Sequence, residues 1–172
     1  MDALKEAIDA AKKNNIFTIA VASTTGSTAR AAFELIKNEK LRAIVVTHDE
    51  GRRLSERRFN EDVRKILLAN NITVYTHNPK LIFLQKVING ISGKFGLSPW
   101  SAHLQKVKER YGTGVKVCHI ILKMLLEGRV VRDGRIVAIA GAKSGADSAA
   151  IFSISGHNKW PVLEKVIVNS HK

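Results

Sequence analysis

The hydrophobic positions of this chain follow two periods, one typical of helices and one typical of buried strands. Over residues 3–11 the apolar side chains recur every three or four positions, which predicts an amphipathic helix that ends at Asn14-Asn15. Residues 16–22 form a continuous apolar, β-prone run, as expected of a strand that is buried on both faces. Helical spacing returns over residues 29–36, and residues 42–47 predict a second buried strand.

The same alternation continues to the end of the chain. Helical spacing predicts a helix over residues 60–70 and a mainly helical interval over 80–127, which Gly-rich stretches interrupt at 89–96 and 112–114. Further strands are predicted at residues 72–76, 135–140, 148–155 and 163–169, the last of them as a closing edge strand.

Strands that alternate with helices over short connections are typical of a parallel sheet with right-handed crossovers. We therefore predict a single domain over residues 1–172 with an α/β fold. Its sheet is expected to be doubly wound and mostly parallel, with helices on both faces, so that the domain has three layers.

The composition excludes several classes of protein. The chain has one cysteine, Cys118, so neither a disulfide framework nor a thiolate metal cluster can form within it. No apolar run approaches the roughly 20 residues that span a bilayer, and the acidic, amphipathic N-terminal segment is unlike a secretory signal. We expect a cytoplasmic protein with no membrane contact. His48, Asp49 and Glu50 are adjacent in the chain, which is a poor arrangement for one ion, and no metal site is predicted.

Ligands of open parallel sheets bind outside the carboxyl ends of the strands, so the residues that follow each strand are the informative ones. After the first strand comes Ser23-Thr24-Thr25-Gly26-Ser27-Thr28, which leads directly into a helix. Hydroxyl donors, a flexible glycine and the unpaired N–H groups of a helix N-terminus suit a phosphate group. The loop lacks the endings of a P-loop and of a dinucleotide-binding turn. The alternative is an ordinary helix N-cap with spare hydroxyls.

Two further strand ends carry polar residues. His48-Asp49-Glu50-Gly51 follows the second strand. Gly141 to Ser148 follows the fourth strand and contains Lys143, a cation that would favour an anionic ligand, although a lone turn lysine is more often simply exposed. Loops at the carboxyl ends of neighbouring parallel strands would face one crevice.

Several segments resemble the C-terminal α/β domain of pyruvate kinase. The first loop is similar to that domain's Thr-x-x-Gly-x-(Ser/Thr)-Ala loop, and residues 142–147 are similar to its later Gly-x-x-Gly-type turn. The resemblance extends further to the stand-alone archaeal proteins of this fold. The shared motifs are Val45-Val46-Thr47-His48, Gly112-Thr113-Gly114-Val115-Lys116-Val117-Cys118 and Gly145-Ala146-Asp147-Ser148-Ala149.

The resemblance implies a phosphorylated small-molecule ligand at the strand ends, with flavin mononucleotide (FMN) preferred and a sugar-phosphate effector as the alternative. It also implies that a homo-oligomer is plausible. Pyruvate kinase activity is not expected, because that reaction belongs to a TIM-barrel domain of ~250 residues. The expected ligand contacts are Ser23, Thr24, Thr25, Gly26, Ser27, Thr28, Thr47, His48, Thr113, Gly114, Lys116, Lys143, Ser144, Gly145 and Asp147.

Two other classes of function stay open. The formal charge is +13, from 28 Lys and Arg against 15 Asp and Glu, and four arginines lie within Arg52–Arg58, which suits a nucleic-acid backbone. An enzyme would draw on Cys118, His48 and His119 as nucleophile and bases. Cys118 lies in an apolar helical stretch, where a single cysteine is usually a packing residue. No residue set meets the demands of a named reaction, so catalytic residues are not assigned.

Overall fold

A computed structural model describes residues 2–48, 58–77, 99–141, 145–158 and 160–169 of the chain. The helices are α1 (Asp2–Lys13), α2 (Ser27–Ile36), α3 (Glu61–Ala69) and α4 (Pro99–Glu127). The strands are β1 (Thr18–Ala22), β2 (Arg42–His48), β3 (Thr73–His77), β4 (Gly134–Ala140), β5 (Ser148–Ile154) and β6 (Val162–Asn169).

The described strands form one sheet in the order β3-β2-β1-β4-β5-β6. The pairings β3–β2, β2–β1 and β1–β4 are parallel, whereas β5 and β6 join in antiparallel fashion. The prediction of an α/β fold with a mostly parallel sheet is therefore confirmed. The strand order reverses between β1 and β4, and this is the position at which open α/β sheets bind their ligands.

Alternate residues of the central strands enter two separate hydrophobic clusters, because successive side chains of a strand point to opposite faces. Ile19 and Val21 of β1 pack in one cluster with residues of α1, α2 and α3. Ala20, between them, packs in the other cluster with Leu122 and Leu125 of α4. The strand residues of both clusters are almost fully buried, which explains why the sequence shows continuous apolar runs instead of alternation.

Strand β1 begins at Thr18, two residues later than the sequence predicts. Asn15 adopts a left-handed conformation with φ 53°, and the Ile16 N–H donates to the Ala11 carbonyl at 2.8 Å. This is the hydrogen bond of a Schellman-type helix end. Ile16 therefore closes α1 instead of starting the strand, although its side chain is buried as an apolar residue should be.

The second predicted Gly-rich interruption, at residues 112–114, is confirmed as a break within α4. Gly112 alone leaves the helical region, with φ 82° and ψ 176°, and divides α4 into a first half that starts at Pro99 and a second half that ends at Glu127. The first predicted interruption, at residues 89–96, lies outside the described residues.

Helix α3 begins next to the loop that follows β1. The Asn60 side chain caps the helix by accepting from the Asp62 and Val63 N–H groups at 2.9 and 3.0 Å. The Asn60 backbone N–H donates to the Thr25 carbonyl at 2.9 Å, which joins the start of α3 to that loop. The described helices include none with the length and apolar content that crossing a bilayer requires.

Candidate functional site

A cavity of about 580 Å³ lies at the carboxyl ends of β1, β2 and β4, and we refer to it as the strand-end cavity. Its described lining consists of Ala22, Ser23, Thr24, Thr25, Ser27, Thr28, Val46, His48, Val117, Ile120, Ile121, Met124, Gly141 and Gly145. The volume lies within the usual range of small-molecule sites, roughly 300–1,000 Å³. The hydroxyl-bearing loop after β1 forms one side, and helix α4 forms the other.

Ser23 organises the loop after β1. Its N–H donates to the Val46 carbonyl at 3.0 Å, which continues the β1–β2 ladder by one residue. Its buried hydroxyl accepts from the Gly26 and Ala29 N–H groups at 3.2 and 3.3 Å. The Ser23 side chain thus performs the capping that the sequence offers as the alternative to ligand binding, while it also lines the cavity.

The hydrogen bonding of the Ser27 and Thr28 N–H groups, which lie between Gly26 and Ala29 in the chain, is different. Among the described residues, none accepts a hydrogen bond from the backbone N–H of Ser27 or Thr28. The Ser27 hydroxyl lies 3.2 Å from the Thr25 hydroxyl, and both residues line the cavity with Thr28. Unpaired N–H groups and the positive end of the helix dipole make this the anion-attracting side of the cavity.

Gly26 shapes this loop without lining the cavity. Its φ is 99°, in the left-handed region that favours glycine, and it occupies the N-cap position of α2. A Cβ atom at this position would lie 3.2 Å from a Val63 methyl group and 3.4 Å from the Phe59 ring. Gly26 therefore faces α3, so a larger residue here would disturb the α2–α3 packing before it reached a ligand.

Thr47, at the end of β2, also supports the loop that follows β1. Its side chain is buried at the end of β2, and its hydroxyl donates to the Thr24 carbonyl at 3.5 Å. His48, the next residue, is exposed and lines the cavity. Thr47 thus positions a loop residue, whereas His48 lies in the cavity wall itself.

The apolar side of the cavity comes from α4, and sequence reasoning missed it as part of the site. Val117, Ile120, Ile121 and Met124 line the cavity together. Their spacing is that of a single helix face, so the pattern was visible in the sequence. In the sequence this apolar face is typical of any helix that packs on a hydrophobic core, because the sequence does not show which end of the sheet the face covers.

The opposite edge of the cavity is formed by the glycines after β4. A Cβ atom on Gly141 would lie 1.8 Å from the Gly145 carbonyl oxygen, and Gly145 has φ 80°. Only glycine satisfies both requirements, so the two ends of this turn are held against each other. Lys143 and Ser144, which are expected ligand contacts, lie outside the described residues.

Four other expected contacts do not line the cavity. Gly114 packs directly on β5, since a Cβ atom there would lie 1.9 Å from the Ser148 hydroxyl and 2.8 Å from an Asp147 carboxylate oxygen. The Asp147 carboxylate accepts from the Ser148 hydroxyl at 2.8 Å. Thr113 and Lys116 are half-buried on α4 and are likewise absent from the described lining. Gly114 thus brings α4 into close contact with the start of β5 beside the site.

The cysteine is unsuited to nucleophilic chemistry. Cys118 is fully buried, and its thiol donates to the Ala138 carbonyl at 3.4 Å. Burial, and then the Asp147 carboxylate, raise the pKa of this thiol far above its usual value. Since the thiolate is the reactive form, Cys118 is inert at neutral pH and serves as a packing residue.

Two further features bear on the open classes of function. Of the arginine cluster, only Arg58 belongs to the described residues, and Asp49 and Glu50 also lie outside them. Within the described ranges, no three His, Cys, Asp or Glu side chains are grouped so as to hold a metal ion.

None of the protein-family models compared with the chain matches it.

Proposed function

We propose that this protein binds a phosphorylated small molecule, with FMN as the preferred ligand, in the strand-end cavity. The observation that carries the proposal is that one cavity joins two unlike walls. The hydroxyl-rich start of α2 forms one wall and an apolar stripe of α4 forms the other. A ligand with an anionic end and a flat apolar ring requires this combination.

The phosphate is assigned to the start of α2. The N–H groups of Ser27 and Thr28 would donate to its oxygens, and the hydroxyls of Thr25, Ser27 and Thr28 would add further donors. No acidic residue lies in the first turn of α2 to compete for these donors. Arg30 lines a neighbouring cleft with Thr25 and Ser27, and it adds positive charge on the outer side of the same turn. Lys143 is expected to close the opposite side of the phosphate.

The ring is assigned to the stripe of Val117, Ile120, Ile121 and Met124. Apolar side chains on one helix face offer a flat surface, and burying a ring against them removes apolar area from water. His48 stands at the edge of the cavity and is the polar contact that we assign to the ring or to its substituents.

The resemblance to pyruvate kinase C-terminal domains belongs to the same proposal. We infer that the chain has the three-layer, doubly wound arrangement of that group and is a relative of its stand-alone archaeal members. The strand order with a reversal between β1 and β4, and the hydroxyl loop at that reversal, support this inference. The proposed role is ligand binding without a pyruvate kinase reaction.

The test compares FMN with riboflavin, which lacks the phosphate, in titrations followed by quenching of flavin fluorescence. We expect FMN to bind at least about tenfold more tightly, since charge-assisted hydrogen bonds contribute roughly 1.5–3 kcal/mol each. Thr28→Val should weaken FMN binding about tenfold and leave riboflavin unchanged. Met124→Gln should weaken both ligands, because it alters the ring wall.

Thr18→Val is the matched control, since Thr18 is a half-buried threonine at the other end of β1. It should change neither affinity. Equal affinity for FMN and riboflavin would remove the phosphate assignment, and no binding of either would overturn the flavin. An absorbance scan of the purified protein between about 300 and 500 nm, with mass spectrometry of released ligand, would then reveal a sugar phosphate if one is held instead.

A further inference from the structure

A second cavity, of about 490 Å³, lies on the other side of helix α4, and we refer to it as the aromatic cavity. It is bounded by both halves of α4 and by the connection from β5 to β6. The described lining consists of His103, Val107, Tyr111, His119, Asn158, Trp160, Pro161, Val162 and Leu163. None of these residues belongs to the strand-end cavity.

Rings dominate the inner wall of the aromatic cavity. The His103 ring stacks on Trp160 with centroids 5.2 Å apart and on Trp100 at 5.5 Å. His119 meets the His103 ring at 5.3 Å and stands edge-on to Phe152 at 4.6 Å. The rings hold each other in place, and this provides a rigid surface on which a further ring could pack.

The wall also contains polar groups with unmet hydrogen-bonding capacity. Within the described part of the chain, His103 Nε2 and Trp160 Nε1 are buried without a hydrogen-bond partner. The His119 Nδ1 atom lies 3.1 Å from the Val115 carbonyl, which can only accept, so Nδ1 is the protonated nitrogen. That leaves His119 Nε2 as an acceptor, whereas Trp160 Nε1–H is a donor.

The described lining of the aromatic cavity carries no formal charge. The chain has a formal charge of +13, yet no Lys, Arg, Asp or Glu belongs to the described lining of the aromatic cavity. Burial lowers the pKa of His119 to about 4, with His103 as a smaller influence in the same direction, so His119 is neutral at pH 7. A charged ligand would lose its hydration here without gaining a counter-charge from these residues.

We propose that the aromatic cavity is a second binding site, which takes a neutral, planar heteroaromatic molecule with one hydrogen-bond donor and one acceptor on its edge. The ligand ring packs against the wall of histidine and tryptophan rings, and Val107, Pro161 and Leu163 enclose its apolar face. Trp160 is incompletely buried, and its Nε1–H is the donor that we assign to the ligand. The site acts independently of the strand-end cavity.

The chain supplies its own reporter for this site. It contains two tryptophans, of which Trp160 lines the cavity, and the Trp100 ring lies 5.5 Å from the Trp160 ring. Titration with 2-quinolinone, a neutral fused ring with an adjacent N–H and carbonyl, should change the tryptophan emission and give a saturable heat of binding in calorimetry. Naphthalene-2-sulfonate, of similar size but anionic, should bind at least about tenfold more weakly.

Val162 offers a variant that leaves the fold alone, because it lines the cavity and is 50% exposed. Val162→Glu should weaken 2-quinolinone binding about tenfold or more, since it places a charge beside the ring. Leu68→Glu is the matched control, because Leu68 is 55% exposed on α3 and lies outside both cavities. It should leave the affinity unchanged. Thermal unfolding of both variants verifies that they are folded.

Four results would overturn the proposal. They are no binding up to about 1 mM, equal binding of the anionic probe, an affinity that Val162→Glu does not alter, or a stable dimer that Val162→Glu dissociates. The last result would mean that a second copy of the chain covers this surface. Addition of FMN should not displace 2-quinolinone, and displacement would likewise contradict an independent site. Failure of FMN to bind at all would affect only the strand-end proposal.

Discussion

The two cavities share one helix but are built on different principles. Around the strand-end cavity, most polar groups come from the loop after β1. There the Ser23 hydroxyl accepts from two N–H groups, and those of Ser27 and Thr28 have no acceptor among the described residues. Around the aromatic cavity, the polar groups include ring nitrogens of α4 and of the segment before β6, and His119 is only 1% exposed. The comparison shows that one helix can present an apolar stripe to one cavity and a cluster of rings to another. Its 3.6-residue period directs neighbouring residues to different surroundings.

We expect the largest effect from a substitution that displaces α4, the helix that borders both cavities. Gly114→Val places a side chain where a Cβ atom already comes within 1.9 Å of the buried Ser148 hydroxyl. Because α4 would have to leave β5, we expect a loss of at least about 4 kcal/mol in the free energy of unfolding. Both probes should lose their binding sites together. Urea denaturation followed by far-UV circular dichroism measures the change.

Gly156→Val is the control for this prediction. Gly156 lies in the turn after β5, and a Cβ atom there would find nothing nearer than 3.9 Å. The cost should stay below about 1 kcal/mol. A Gly114→Val protein with wild-type stability would show that α4 is not held on β5 in the manner described.

A change of pH should act on the aromatic cavity through His119. His119 has a pKa of about 4 in the folded chain because it is buried, against an ordinary value of 6.5. Between these values the unfolded chain binds the extra proton, so this histidine's contribution to stability falls as the pH drops from about 6.5 to about 4. The total is roughly 3 kcal/mol, at about 1.4 kcal/mol per pKa unit.

The measurement is the free energy of unfolding across this pH range for the wild type and for His119→Phe. As the pH rises, the free energy of unfolding of the wild type should increase relative to that of His119→Phe. The difference should become constant above about pH 6.5. His157→Gln, a change at an exposed histidine, should run parallel to the wild type. Parallel curves for His119→Phe would contradict the buried, neutral histidine.

The smallest expected effect lies on the strand-end side. Asn60→Ala removes the cap of α3, and it should lower stability by about 1 kcal/mol, the usual value of an N-cap. Asn60→Ser retains a capping oxygen and should recover most of the loss. Thermal unfolding measures both variants. An effect of FMN binding on the size of this loss would show that the Asn60–Thr25 contact couples α3 to the loop.

Much of the fold could be predicted from the sequence because its signals are local. The buried strands appear as continuous apolar runs, and the observed strands differ from the predicted ones by at most two residues at either end. The start of β1 differs from the prediction at Ile16 because an apolar run indicates that residues are buried, but it does not indicate which hydrogen bonds they make. The edge position of β6 was also predicted, and it is confirmed among the described strands.

The candidate site was only partly predictable. The hydroxyl loop follows a strand end and enters a helix directly, so its place in the strand-end cavity follows from sequence order and the topology of parallel sheets. Gly26 and Thr47 belong to the same segments, yet they face α3 and the loop backbone. Which way a loop residue points depends on what packs against it, and no local pattern records that.

The sequence by itself thus determined the alternation of strands and helices, the mostly parallel sheet and the polar loop at the end of β1. These features depend on neighbouring residues and on the handedness of the chain, which act over short distances. Only the tertiary structure decided that an apolar stripe of α4 forms the second wall of the strand-end cavity. It also decided that His103, His119 and Trp160 meet around another cavity. Such contacts join residues far apart in the chain, and the packing of α4 on the sheet brings them together.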